Sequence, residues 1–163
     1  MNKQQLIKQI TELIENFKET TLEFQEHNFR VNSDGWKKIT VDGKSYLEND
    51  KKDIWEFLDE NKGEQLFTWD SAIRETKKAG LRMPTDDEFT ELLKTKSDMP
   101  NVIFTGFRGT GGSFYFGGTS SYFWSSVGSG GSAWERYLNS GNAGVNRNTD
   151  AVAYGFSVRC LKD

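Results

Sequence analysis

From residue 101 to the C-terminus the chain carries 12 of its 16 glycines and more than half of its aromatic residues. That combination predicts short strands joined by tight turns. Aromatic and β-branched side chains suit a half-buried pleated surface, and glycine supplies the backbone conformations that tight turns require. The first 100 residues are different: they are rich in Lys, Glu and Asp, hold only four glycines, and favour helices.

Within the glycine-rich half, "VIFTGFRG" and "SFYFGG" flank "TGG" and predict a hairpin, followed by strands at "SYFWSS", "SAWERYLN" and "YGFSVRCL". Alternation places Trp134, Arg136 and Leu138 on one face, and Glu135, Tyr137 and Asn139 on the other. Trp134 and Leu138 read as core, with Arg136 reaching a carbonyl or carboxylate at the sheet edge. In the last strand Phe156, Val158 and Cys160 share one face, and Ser157, Arg159 and Leu161 the other. Cys160 reads as a small buried hydrophobe, because the one histidine, His27, is remote in sequence.

Towards the N-terminus, Leu6, Ile10, Leu13, Phe17, Thr20 and Phe24 recur at alternating four- and three-residue steps, with Ile7, Ile14 and Thr21 beside them. This is a helix with an apolar stripe, packed either on its own domain or against further copies as a short coiled coil. Asp42-Gly43 predicts a type I′ hairpin over about Trp36 to Leu47. Trp69, Ala72, Ile73 and Thr76 then share the inward face of a helix ending at Gly80, a natural residue after a C-cap. Thr85 opens another helix with Glu88 in a reciprocal capping box and Phe89, Leu92 and Leu93 inward. Asp70, Asp86 and Asp87 lie in first turns, where carboxylates favour the helix dipole, so they read as caps rather than catalysts.

A length of 163 residues suits one domain with a modest core. The net charge of −3 and the lack of a Lys/Arg cluster argue against a nucleic-acid partner. One cysteine and one histidine leave no disulfide within the chain and no ordinary His/Cys metal site, so no cofactor is expected. The N-terminus has no signal-peptide core, and no stretch approaches the roughly 20 apolar residues of a membrane span, so no membrane insertion is expected.

"GLRMPTDDEF", "GFRG", "YFWSS", "AWERYLNSGNAGVNRN" and "GFSVRCLKD", in this order and spacing, resemble the bacterial and phage form of the C-type lectin-like domain. That group includes formylglycine-generating-enzyme-like proteins and the variable proteins of diversity-generating retroelements. The likeness covers about Phe67 to Asp163. It implies an α+β fold: two helices against a small twisted antiparallel sheet with long loops, termini close together, and here an added N-terminal helix. Residues 1–66 then form a helix-and-hairpin region packed on or preceding a domain at 67–163. The resemblance does not carry the group's known chemistries across. The formylglycine type uses paired cysteines and the oxygen-activating type several histidines, and the calcium-dependent sugar loop carries a proline where this chain has none.

What the resemblance does imply is binding by a non-enzymatic protein. In the retroelement-diversified proteins, asparagine codons in the C-terminal segment are rewritten at adenines, which yields many residues but not Lys, Glu, Gln, Trp or Met. Between Val127 and Tyr154 only Trp134 and Glu135 fall outside that set. The variable region expected here spans about 124–160. Asn139, Asn142, Asn146 and Asn148 are open to two readings, as ordinary turn residues or as positions on a recognition surface. The candidate contact surface comprises Ser129, Ser132, Glu135, Tyr137, Asn139, Ser140, Asn142, Asn146, Arg147, Asn148, Asp150 and Tyr154. The expected partner is a protein or glycan on a target surface, with the protein itself on a virion or cell and homo-oligomeric through its first helix. Alternatives are an undiversified adhesin or glycan-binding paralogue, a structural or assembly component, and a degenerate member of the formylglycine-generating lineage.

Overall fold

A computed structural model describes residues 1–19, 22–25, 27–58 and 63–163, with the side chains of 16–19 left aside. The fold is α+β, with antiparallel sheets. Helix α1 (Lys3–Glu19) comes first, then strands β1 (Lys37–Val41), β2 (Lys44–Glu48), β3 (Ile54–Phe57) and β4 (Gln65–Phe67). Helices α2 (Trp69–Lys78) and α3 (Asp86–Leu92) follow, then the short strands β5 (Phe107–Arg108) and β6 (Phe114–Tyr115). The chain ends with β7 (Ser120–Ser129), β8 (Ser132–Asn139), β9 (Val145–Ala151) and an extended C-terminal segment. Strands pair in chain order within a four-stranded, a two-stranded and a three-stranded sheet. Among the described residues, no helix is long and apolar enough to cross a membrane.

Local signals are honoured where they are strongest. Asp42 and Gly43 take φ of 50° and 76°, the left-handed pair that a two-residue hairpin between β1 and β2 requires. Gly80 closes α2 with φ 71°, and Leu81 N–H returns to the Thr76 carbonyl. Thr85 caps α3 by accepting from Glu88 N–H. The reciprocal half of that box is absent, because both Glu88 carboxylate oxygens take the Arg82 guanidinium instead. On α2, Ser71, Ala72 and Thr76 are buried, whereas Ile73 points outward, contrary to its expected inward position.

The "YGFSVRCL" segment is no regular strand. It makes isolated bridges to Phe67, Arg82, Arg108 and Phe123, so it threads between the sheets. Both of its faces are buried: Phe156, Val158 and Cys160 lie in the main core with Ile54, Phe67, Met83 and Trp124, while Arg159 is inaccessible and paired with buried Glu64. Arg159 also donates to the Pro100 and Asn101 carbonyls, which disperses its charge onto main-chain dipoles. A second cluster holds Phe89, Leu93, Met99, Phe123 and Leu138, with Phe24 against it. Since β3 and β4 enter the same core as the C-terminal segment, the boundary expected at residue 67 runs through β4. Gln25 N–H meets the Cys160 carbonyl, which brings the end of the N-terminal segment beside the C-terminus.

Helix α1 stands apart from this. Leu6, Ile7, Ile10, Leu13 and Ile14 are 46–68% exposed, so its apolar stripe is uncovered within one chain. Thr20 and Thr21 of the same pattern, and the side chain of Phe17, lie outside the described residues.

Candidate functional site

The register of β7, β8 and β9 decides which of the candidate residues meet. Cross-strand partners in an antiparallel pair share a face. Tyr122 pairs Tyr137, which pairs Asn146; Trp124 pairs Glu135, which pairs Asn148; and Ala133 pairs Asp150. Tyr137, Asn146, Asn148 and Asp150 therefore lie on one face, with Glu135 among them. Tyr154 reaches the same side through Phe107 and Phe156, at ring-centroid distances of 5.4 and 5.9 Å.

Of this set, Asn148 is exposed and Tyr137, Asn146, Asp150 and Tyr154 are half-buried. Glu135 is not a surface contact: it is fully buried, and neither carboxylate oxygen has a hydrogen-bond partner. Alternation fixed its face correctly, but that face is covered at this point by the core built around Trp124 and Phe156. Burial, and secondarily the carboxyl of Asp150, push Glu135 up to about 9, so it is a neutral acid at pH 7. Burial likewise raises Asp150, and raises Tyr122 with help from Glu135. The floor of the face is thus an acid-and-phenol cluster poor in counter-charge.

Arg147 lies on the opposite face, contrary to expectation. Its guanidinium clasps the Asp86 carboxylate at 2.7–3.2 Å and stacks 3.5 Å over Trp134. Arg136 meets the same carboxylate at 2.6 Å and also donates to the Asp86 carbonyl and the Thr90 hydroxyl, the edge role its alternation implied. Arg147 first, and then Arg136, hold the Asp86 carboxyl below the usual range. Asp86 is therefore a clamp between α3 and the sheet rather than a simple dipole cap.

The remaining candidates lie at the two ends of the sheet. Ser129 and Ser132 pair across the Gly130-Gly131 turn. Asn139, Ser140 and Asn142 lie at the other end of β8, an eight-residue strand, roughly 20 Å away at about 3.3 Å per residue. Asn139 and Asn142 accept from the amides of Gly141 and Gly144, so they bond their own turn as the first of their two readings had it. Nor does the whole of 124–160 offer surface: Trp124, Ser125 and Gly155 to Cys160 are buried.

Sequence reading missed the residues that extend this face beyond β7. Tyr122 stacks on Tyr137 at 5.4 Å, and Phe107 meets Tyr122 at 4.9 Å, which carries an aromatic band from β8 to the β5–β6 hairpin. Its signal was present in the alternation of "SYFWSS", which puts Tyr122 and Trp124 on one side. The only cysteine, Cys160, is buried, and burial pushes its thiol up to about 12, which disfavours the reactive thiolate. Among the described residues no group of three or more His, Cys, Asp or Glu side chains is arranged to hold a metal ion. No protein-family model matches the chain, and no curated protein or solved structure was found similar to it.

Proposed function

We propose that the chain is a non-enzymatic recognition module of C-type lectin-like type, whose three-stranded sheet presents a ligand-contact face diversified by a retroelement. The observation that carries this reading is the gathering of Tyr137, Asn146, Asn148, Asp150 and Tyr154 on one side, above a core fixed by Trp124 and Phe156. Tyrosine gives large contact area at low entropic cost, and asparagine adapts its hydrogen bonding, which is the chemistry of a surface that changes partners. The two residues of 127–154 that adenine-directed rewriting of asparagine codons does not produce, Trp134 and Glu135, are both off this surface. One lies under Arg147 and the other is in the interior.

The exposed stripe of α1 supports a homo-oligomeric presentation. Pairing Leu6, Ile10 and Leu13 with the same residues of further copies removes their apolar area from water and sets several contact faces side by side on a virion or cell surface. The diversification reading is tested by sequencing the DNA that flanks the gene. A near-identical repeat of the codons for about 124–160, differing at adenines and accompanied by a reverse transcriptase, is expected. A gene with neither would refute diversification and leave an undiversified adhesin.

A further inference from the structure

Beside the contact face lies a cleft of about 250 Å³, all of whose lining residues except Tyr154 precede the segment read as variable. Its walls are the rings of Phe107, Tyr115, Phe116 and Tyr154, and its rim is the turn 109–111. Phe107 is central, with ring centroids 5.3 Å from Tyr115, 6.0 Å from Phe116 and 5.4 Å from Tyr154. Tyr115 and Phe116 nevertheless remain 48% and 57% exposed. Two large rings left in water beside a concavity are not explained by core packing.

The cleft is held in shape at some conformational cost. Phe116 adopts φ 59°, a left-handed conformation unfavourable for a bulky residue, and its carbonyl accepts from the Thr119 amide and hydroxyl and the Ser120 amide. A Cβ at Gly109 would come within 2.8 Å of the Tyr115 ring, so glycine there lets the ring lie against the turn. Gly106, at φ 75°, admits the Tyr115 carbonyl where a Cβ would stand 1.9 Å from it.

We propose that this cleft binds the apolar face of an uncharged sugar ring. Its volume suits a single ring rather than a folded element of a partner. No carboxylate, ammonium or guanidinium lines it, and the guanidinium of neighbouring Arg108 is stacked 4.0 Å over Trp55, so a charged group gains no counter-ion. Aromatic faces attract the polarised C–H groups of one side of a pyranose, while the Thr110 hydroxyl, the tyrosine phenols and the peptide groups of the turn suit its hydroxyls. A purely apolar side chain gains most from enclosure, which these half-exposed rings do not give. The inference rests on the recognition reading and deepens it: Phe107 joins the cleft to Tyr122 and Tyr154, which sets a sugar-reading edge, constant at Phe107, Tyr115 and Phe116, beside the variable surface.

The test is an amide NMR titration of the full chain with methyl glucoside, galactoside, mannoside and N-acetylglucosaminide. Indole-3-acetamide and N-acetylprolinamide serve as apolar comparators. A contact of this size gives a Kd of about 1–10 mM. The expected result is saturable shifts confined to 106–118 and Tyr154 with at least one sugar, weakened about tenfold or more by Tyr115→Ala and by Phe116→Gly. Phe116→Gly also relieves the left-handed strain, so its Tm should hold or rise while binding falls, which separates lost contact from lost fold. Glu91→Ala, exposed on α3, should leave binding unchanged. The proposal is overturned if no sugar gives saturable shifts, if Phe116→Gly leaves them intact, or if only the apolar comparators bind. Such a failure leaves the recognition reading standing, since that is carried by the face of Tyr137, Asn146, Asn148 and Asp150 rather than by this cleft.

Discussion

Replacing Glu135 by glutamine should change how stability depends on pH more than it changes stability at any one pH. Burial raises this carboxyl from 4.5 to about 9. Below pH 4.5 the acid is protonated in the folded and unfolded chain alike, and it has no effect on their balance. Between 4.5 and 9 the unfolded chain releases the proton and the folded chain keeps it, so the folded state loses stability as pH rises, by up to about 1.4 kcal/mol per pH unit. From pH 4 to pH 7 the loss attributable to this one group is about 3 kcal/mol, a large part of a typical domain's stability. The glutamine of the Glu135→Gln variant does not titrate. It leaves a buried amide without a partner, an offset that is the same at every pH and cancels on comparison. Urea unfolding at pH 4, 5, 6 and 7, at constant ionic strength, should therefore show the variant gaining about 3 kcal/mol on the parent across the series. The other carboxylates are common to both chains and drop out. Parallel curves, within about 0.5 kcal/mol, would show that Glu135 is solvated or paired rather than buried alone.

Two further perturbations address the frame. Arg159→Met strands the buried Glu64 carboxylate and should cost about 3–5 kcal/mol in urea unfolding, whereas adding Glu64→Gln should recover much of that loss. Equal stability of the single and double variants would show that the two side chains are not energetically coupled. Deleting residues 1–19 should convert an assembled species to monomer in light scattering and leave the midpoint of thermal unfolding of the remaining domain within a few degrees. An unchanged mass would remove α1 from any role in assembly.

Much of the fold is legible where its cause is local. The Asp42-Gly43 turn, the stop at Gly80 and the Thr85 cap each follow from backbone preference within a few residues, and each is present. What sequence could not supply is what covers a given face. Alternation put Glu135 on the face of Tyr137, correctly, but whether that side is wet at Glu135 depends on the C-terminal segment passing over Phe67 and Phe123. Arg147 breaks the expectation for the same reason: it pairs Arg136 across the strands, and both answer to Asp86 on α3, 61 residues distant from Arg147. The Glu64–Arg159 pair spans 95 residues and leaves no periodic trace. The candidate site is half visible: Tyr137 is placed by alternation, Asn146, Asn148 and Asp150 stand out only as polar residues because β9 does not read as a strand, and the aromatic extension through Phe107 requires tertiary packing to appear.

The most direct measurement is a comparison of two small libraries by thermal unfolding. In one, Tyr137, Asn146, Asn148 and Tyr154 are randomised; in the other, Trp134, Arg136, Arg147 and Asp86 on the opposite face are randomised. A recognition surface laid over an independent core predicts that most members of the first library keep cooperative unfolding within about 5 °C of the parent, while most of the second lose it. If the two libraries suffer alike, the outward residues are part of what holds the sheet together, and the surface is not free to serve a ligand.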